Sequence, residues 1–384
     1  MLSYFYTVAG IYLHIPFCKQ ACHYCDFHFS TSLANKQAFV EALQKEISLT
    51  KDYLQAEKIK TIYFGGGTPS LLEPDELKRI LDSIYQTHDV DNDAEITLEA
   101  NPDDLNLKKI NELKSSPVNR LSIGIQSFRD EDLKMMNRAH NSKEADYSVK
   151  AAQDKGFENI TIDLIYSIPN LSLMEWKENL QKAFDLNVQH ISAYSLTFEP
   201  KTVFGNYEKR GLLKPVEQEL SSDQFLLMLE QMRLNGFEQY EVSNFCKQGF
   251  ESKHNSAYWS GAKYLGLGPS AHSFDGKSRQ WNIANNNVYI KSLSEDKLAF
   301  EREDLDERTR LNEYLMTGLR TRKGIDLAYI QSTFGFDLQM TYRNMIDELS
   351  HSKKLVIKDG QLALTDEGQL MADRIASDFF IVEE

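Results

Sequence analysis

Three of the four cysteines of this 384-residue chain stand within eight positions, in the run Cys18-Lys19-Gln20-Ala21-Cys22-His23-Tyr24-Cys25. Thiolates are soft ligands, and a CxxxCxxC spacing suits zinc or an iron–sulfur centre. A structural zinc site needs a fourth ligand, for which His14, His23 and His28 are near in sequence. Zinc knuckles, however, pair CxxC elements, and no second pair follows. A [4Fe–4S] cube held by three cysteines keeps one iron without a protein ligand, open to a small molecule, and that is the preferred reading. Disulfides between such close neighbours would close small, strained loops, so a reduced intracellular metal site fits better than a secreted scaffold. Cys246, next to Phe245, reads as a small buried residue.

Other residues carry chemistry at strand ends. Gly65-Gly66-Gly67-Thr68-Pro69 closes an apolar run; missing Cβ atoms there permit either a tight turn or close approach of backbone to a ligand. Glu99 ends another such run, and a carboxylate on a buried strand must pair with a cation or serve a ligand. Gln126 and Asp163 invite the same argument, and Arg138 offers a planar, permanently charged fork for a carboxylate. Tyr12 and Tyr24 flank the cysteine loop. His254-Asn255-Ser256-Ala257-Tyr258-Trp259 combines a histidine, a common axial ligand of heme iron, with flat apolar side chains suited to a macrocycle. His14 and His272 receive no assigned role.

The elements that must position these residues follow from periodicity. Apolar runs at Gly10–Pro16, Thr61–Gly65, Glu95–Ala100, Arg120–Gln126, Asn159–Tyr166 and His190–Thr197 alternate with amphipathic stretches at 31–56, 74–86, 103–115, 142–155 and 172–186. Six βα repeats with near-continuous apolar strands imply a parallel sheet covered by helices. A doubly wound sheet and a barrel both fit. Polar residues at the C-terminal ends of nearly every strand suit a barrel with its site on that face. The rhythm changes after the sixth strand: a helix is expected at 217–235, then a Gly- and aromatic-rich stretch. From about 301, helices near 306–321, 325–333 and 337–349 precede two short strands, Leu355–Lys358 and Gln361–Leu364, around Asp359–Gly360. That is the order of a winged helix. The expected division is 1–200, a barrel core; 201–300, a barrel-closing, heme-binding segment; and 301–384, a C-terminal α+β unit.

Composition narrows the class. Hydrophobic residues make up 41 % of the chain, enough for a sizeable core, and the formal charge of −14 argues against a non-specific nucleic-acid binder. The C-terminal unit carries 11 Lys and Arg against 17 Asp and Glu, which argues against DNA reading there as well. No run of 18 apolar residues exists, and the first residues lack the basic start and cleavage site of a leader, so a cytoplasmic location is expected. No strongly basic amphipathic helix supports peripheral membrane contact, which remains open.

CxxxCxxC directly after a first strand resembles the signature of the radical S-adenosylmethionine (SAM) superfamily. The run Tyr12-Leu-His-Ile-Pro-Phe-Cys18 is similar to the branch holding the oxygen-independent coproporphyrinogen III oxidases and the HemW heme chaperones. The likeness extends through GGGTPS (65–70), LEANP (98–102), RLSIGIQS (120–127), MNRAH (136–140), IDLIYSIP (162–169) and HNSAYW (254–259). It implies an α/β fold: a partial (β/α)6 barrel of the radical SAM type, a connecting segment and a winged-helix-like C-terminal domain. It also implies a [4Fe–4S] cluster on Cys18, Cys22 and Cys25, with SAM contacted by Tyr12, Tyr24, Gly66, Gly67, Thr68, Glu99, Gln126, Arg138 and Asp163. His254 corresponds to a histidine implicated in heme binding. The oxidases continue CxxxCxxCxC and carry a longer N-terminal extension; here Phe27 replaces the extra cysteine, and 17 residues precede Cys18. Both departures, with HNSAYW, point to a heme chaperone serving client hemoproteins, plausibly of the respiratory chain, as a monomer or a cluster-dependent dimer. The alternative is an oxidase that decarboxylates coproporphyrinogen propionates by radical SAM chemistry.

Overall fold

The computed structural model describes residues 9–382. The first eight residues, on which part of the expectation about a leader rests, lie outside the described residues. Six strands form the centre of the molecule: β1 (Ala9–Ile15), β2 (Ile59–Gly66), β3 (Val90–Ala100), β4 (Arg120–Gln126), β5 (Asn159–Tyr166) and β6 (His190–Ser195). Each pairs in parallel with the next in chain order. Parallel neighbours cannot be joined by a hairpin, so a helix crosses over between them. The principal crossover helices are Lys36–Leu49, Pro74–Thr87, Leu107–Lys114, Ser142–Asp154 and Leu173–Asp185. Their starts are written locally. Pro74 occupies a first turn, and capping boxes close on Glu73/Glu76, Asn141/Glu144 and Ser172/Glu175.

Helices cover the outer face and the strand interiors are buried throughout, which is why these runs read as continuous apolar stretches. The main core runs along them, with Ile11, Leu13, Ile62, Phe64, Leu121, Ile123, Ile162 and Ile191 fully enclosed.

The segment after β6 extends this same sheet at both edges, to twelve strands in all among the described residues. Asn244–Cys246 and Glu238–Glu241 add antiparallel beside β6. Tyr264–Leu267 pairs in parallel with β1, and His272–Phe274, Ser278–Asn282 and Phe300–Asp304 follow antiparallel. Phe300–Asp304 thus belongs to the main sheet, although periodicity places the start of the last unit at its centre. A buried carboxylate ties the β1 edge together. Glu46 accepts from the Gly268 amide, Asn282 Nδ2 and the Tyr289 hydroxyl, so its three acceptor contacts replace the water it has lost.

Beyond residue 305 a second, separate core forms around Leu311, Leu315, Leu319, Ile330, Ile346 and Phe379. Its helices Glu307–Leu319, Leu327–Phe334 and Arg343–His351 precede the hairpin Leu355–Lys358/Gln361–Leu364. Asp359 and Gly360 both take positive φ (51° and 79°), as a two-residue hairpin turn requires. Strand Ile325–Asp326, unanticipated from periodicity, completes a three-stranded sheet. Arg233 of the helix Gln218–Leu234 reaches Asp366 with both terminal guanidinium nitrogens at 2.6 Å, joining this unit to the barrel. No helix among the described residues is long and apolar enough to cross a membrane.

Candidate functional site

The cysteine loop leaves the C-terminal end of β1 and is closed at its root. Cys18 N donates to Ser30 O at 3.0 Å, and Ser30 N returns to Pro16 O at 2.9 Å. Residues 135–138 clamp its outer side. His23 N donates to Met136 O, His23 Nδ1 lies 2.9 Å from Met135 O, and Gln20 Nε2 donates to the carbonyl and side-chain oxygens of Asn137. Asn137 Nδ2 in turn donates to Ala21 O. The loop from Cys18 to Ser30 is therefore held in one shape by groups that would otherwise need water.

The three thiols line one cavity of about 540 Å³ that enters the barrel. Burial pushes the Cys25 thiol up to about 12, helped by the neighbouring Cys22 and Cys18 sulfurs, and raises Cys18 as well. Three neighbouring thiols, with Cys18 and Cys25 raised by burial, are a donor set that a cationic centre would hold as thiolates. The donor set fits a [4Fe–4S] cluster. The remaining wall fits a zwitterionic, hydroxyl-rich ligand such as SAM. Arg138 reaches Asn101 Oδ1 (2.6 Å), Gly124 O (2.8 Å) and Cys22 Sγ (3.3 Å), while its buried Nε has no acceptor. Tyr24 lies against the same guanidinium, its hydroxyl 3.4 Å from Nη1. Thr68 accepts from Asn101 Nδ2.

Glu99 and Asp163 line the cavity from β3 and β5. Burial pushes Glu99 up to about 8, with the Asp163 charge adding and the Tyr63 hydroxyl (2.8 Å from Oε1) opposing. Burial likewise raises Asp163 to about 6 against hydrogen bonds from Ser192 and Ser122. Gln126 arrives by a different device. The β4–β5 register slips between Ile123 and Gln126, and Gln126 takes φ 69°, which turns its side chain into the cavity. A bulged, left-handed glutamine is strained backbone of the kind held at functional sites.

The glycine run has a packing role besides any ligand contact. A Cβ on Gly66, whose φ is +102°, would meet the His14 ring at 2.6 Å, and one on Gly67 would meet Phe17 O at 2.6 Å and Ile15 O at 2.8 Å. The glycines let β2 lie directly against the root of the cysteine loop.

Two expected residues sit elsewhere. Tyr12 does not line the cavity. Its ring stacks on Tyr63 (6.1 Å, 24°), and its hydroxyl lies 3.2 Å from His14 Nδ1. Tyr63 takes the lining place that the cysteine-flanking position suggested for Tyr12. His254 is buried on the helix Lys253–Trp259, below the barrel, and both ring nitrogens are engaged. Nδ1 lies 2.8 Å from Thr61 Oγ1, Nε2 lies 3.0 Å from the Tyr258 hydroxyl, and the ring stacks on Tyr63 at 5.0 Å. No ring nitrogen is therefore free in this conformation, and a ligand could reach Nε2 only if Tyr258 gave way. Burial holds the imidazole down to about 3, in the neutral form a metal requires. Cys246 is buried in the strand beside β6, and His272 is exposed beside Trp281.

Sequence reasoning missed Tyr63, Asn101, Arg120 and His190, which also line the cavity. Tyr63 carried a signal, a polar-tipped residue two positions before the glycine run. Arg120 and His190 are the first residues of β4 and β6, where a polar side chain reads as a strand boundary.

The Glu99 shift makes a prediction about pH. The folded chain keeps this proton up to about pH 8, whereas an unfolded carboxyl releases it near its ordinary 4.5. The stabilisation is complete below the lower value and is lost as pH rises through the upper one. Glu99→Gln is expected to be more stable than the parent in denaturant melts of the apoprotein at about pH 8.5, by on the order of a few kcal/mol, with the advantage gone by about pH 5.

Comparison with known proteins agrees with this architecture. The Radical SAM superfamily model matches residues 12–183, and the HemN C-terminal domain model matches residues 305–371. The chain is 34 % identical to the heme chaperone HemW of Bacillus subtilis over 96 % of this chain and 98 % of that protein. It is 35 % identical to HemW of Lactococcus lactis, over 96 % and 97 %. Among solved structures, coproporphyrinogen III oxidase (HemN) from Escherichia coli, a radical SAM enzyme, superposes with a TM-score of 0.84 over 97 % of this chain and 90 % of that one, at 21 % identity. That last likeness is one of fold. The chain belongs to the HemW heme chaperone family, within the radical SAM superfamily.

Proposed function

We propose that this protein binds heme and passes it to client hemoproteins, while a [4Fe–4S] cluster on Cys18, Cys22 and Cys25 and a SAM molecule occupy the mouth of the barrel. The observation that carries the reading is whole-length similarity, at 34–35 % identity, to proteins named heme chaperones. When bound, the cluster would supply an iron without a protein ligand, open to a small molecule, and a path for an electron. The chain's own residues do the rest. Arg138 and Asn101 orient a carboxylate, Glu99 and Asp163 receive an ammonium or ribose hydroxyls, and Tyr24 and the buried strands keep water out. Heme is received at the helix Lys253–Trp259, with His254 Nε2 as its axial ligand after Tyr258 releases it. The clients are respiratory hemoproteins, the protein works from the cytoplasm, and its oligomeric state follows cluster loading. The three parts act as residues 1–200, 201–300 and 301–384.

The fold of HemN motivates the second reading, a decarboxylase. Phe27, at the position of the oxidases' additional cysteine and 67 % exposed at the cavity rim, weighs against it. Reconstituted protein incubated anaerobically with SAM, a reductant and coproporphyrinogen III is expected to form no protoporphyrinogen IX. The same preparation, loaded with heme, is expected to transfer it to heme-depleted respiratory membranes. Turnover of the porphyrinogen, or retention of the heme in the presence of those membranes, contradicts the reading.

A further inference from the structure

The cavity runs deeper than the residues expected to hold SAM. Its mouth is at the C-terminal ends of the strands, where the cysteines lie, yet Arg120 and His190, the first residues of β4 and β6, line it too. Strands of six or seven residues separate these two levels by roughly 20 Å. At the deep level two donors have no acceptor.

Arg120 is 2 % exposed. What holds its guanidinium is a pair of hydroxyls, Thr161 Oγ1 on Nη2 and Thr97 Oγ1 at 3.5 Å from Nη1, and its buried Nε has no partner. Its hydrogen-bond partners are both neutral, the Asp163 charge acts on it without a hydrogen bond, and a buried guanidinium N–H left without an acceptor is costly.

His190 is 1 % exposed, and its Nε2 lies 2.9 Å from the Tyr240 hydroxyl. The Asn255 side chain hydrogen-bonds the same Tyr240 hydroxyl. His190 Nδ1 is the second buried nitrogen without a partner, and it carries the ring hydrogen when the Tyr240 hydroxyl donates to Nε2. Asn255 belongs to the HNSAYW segment and itself lines the cavity, so the helix expected to receive heme ends at this same place.

Charge agrees. Asp26 and Glu199 also line the cavity, but of the two carboxylates on its strands, Glu99 and Asp163, burial holds Glu99 protonated at neutral pH, so Asp163 is the strand carboxylate that faces the guanidiniums of Arg120 and Arg138.

We propose that the deep end of the cavity is a carboxylate subsite, in which Arg120 Nε–H and His190 Nδ1–H receive a propionate arm of the bound tetrapyrrole. The proposal rests on the heme reading above and adds to it the chemical group by which the ligand is recognised. Charge-assisted hydrogen bonds of this kind set affinity and orientation together.

The test compares hemin with hemin dimethyl ester, whose propionates carry no charge, by spectroscopic titration of the full-length, cluster-reconstituted protein. The ester is expected to bind the parent roughly 10- to 100-fold more weakly than hemin. Arg120→Gln is expected to lower hemin to the level of the ester while leaving the ester unchanged, and Arg120→Lys to recover part of the loss. Equal binding of hemin and ester by the parent overturns the subsite while the heme reading stands. An Arg120→Gln protein that melts like the parent yet weakens both ligands alike also overturns it. Failure of the parent to bind either ligand overturns the heme reading itself. The parent's comparison of the two ligands decides the matter even if the Arg120 variants do not fold.

Discussion

Alanine at any one of Cys18, Cys22 or Cys25 is expected to reduce iron and acid-labile sulfide in the reconstituted protein to about a tenth of the parent or less, because a cube bound through two thiolates is not retained. The histidines near the loop are already engaged. His23 directs Nδ1 at Met135 O, and His28 has Nε2 at 2.7 Å from Asn286 Oδ1. His14 is pinned between Tyr12 and the His28 carbonyl, and burial holds its imidazole down to about 4. The fourth thiol, Cys246, is paired across to His190 in the sheet and buried there. Cys246→Ala is therefore expected to keep the full iron content. The same cysteine variants should lose SAM binding in equilibrium dialysis, since a cluster on these thiols would supply the iron open to that ligand. Full iron in a Cys18, Cys22 or Cys25 variant would show that the thiols do not hold a cluster.

Gly67→Ala is expected to destabilise the chain by about 3 kcal/mol and to impair cluster assembly through packing at the loop root alone, apart from any ligand contact. The added Cβ would lie 2.6 Å from Phe17 O and 2.8 Å from both Ile15 O and Phe17 N, and all three are backbone atoms that cannot rotate away. Gly67 N also donates to Ile15 O at 2.9 Å, so β2 and the loop root cannot part without losing that bond. Displacing Phe17 moves Cys18, its neighbour. Gly211→Ala is the control. Its φ is +68° but nothing lies within 4 Å of the added atom, so a cost of about 1 kcal/mol is expected from backbone conformation alone. Thermal melts of the two variants, read beside iron content, separate packing at the loop root from general loss of stability.

The six central strands were legible because they are buried on both faces and written almost wholly in apolar residues. Arg120–Gln126 and Asn159–Tyr166 agree with the structure to the residue. The edge strands were not legible. Asn244–Cys246 and His272–Phe274 have three residues each, too short for any period to show. Phe300–Asp304 reads Phe-Glu-Arg-Glu-Asp, is exposed along its length and is held by backbone pairing to Ser278–Asn282. The site divides the same way. A carboxylate ending an apolar strand stands out, so Glu99 could be read, and so could the soft-ligand spacing of the cysteines. Arg120 and His190 could not, because a polar first residue is what the end of any strand looks like. Only the barrel's curvature turns it into the floor of a cavity. The aromatic column from His254 through Tyr63 to Glu99 likewise exists only once β1, β2 and the helix Lys253–Trp259 have been brought together.

That column also shows that the proposed heme ligand is concealed. His254 is stacked, doubly hydrogen-bonded and neutral, so binding requires the Tyr258 hydroxyl to leave Nε2 while Thr61 keeps Nδ1 oriented. Such a neighbour on the second nitrogen fixes the tautomer that ligates. Titration of hemin into the purified full-length protein, followed by its Soret band, tests this account most directly. A saturable band at one heme per chain is expected, lost or shifted in His254→Ala. Absence of a saturable band at sub-millimolar hemin would contradict the account.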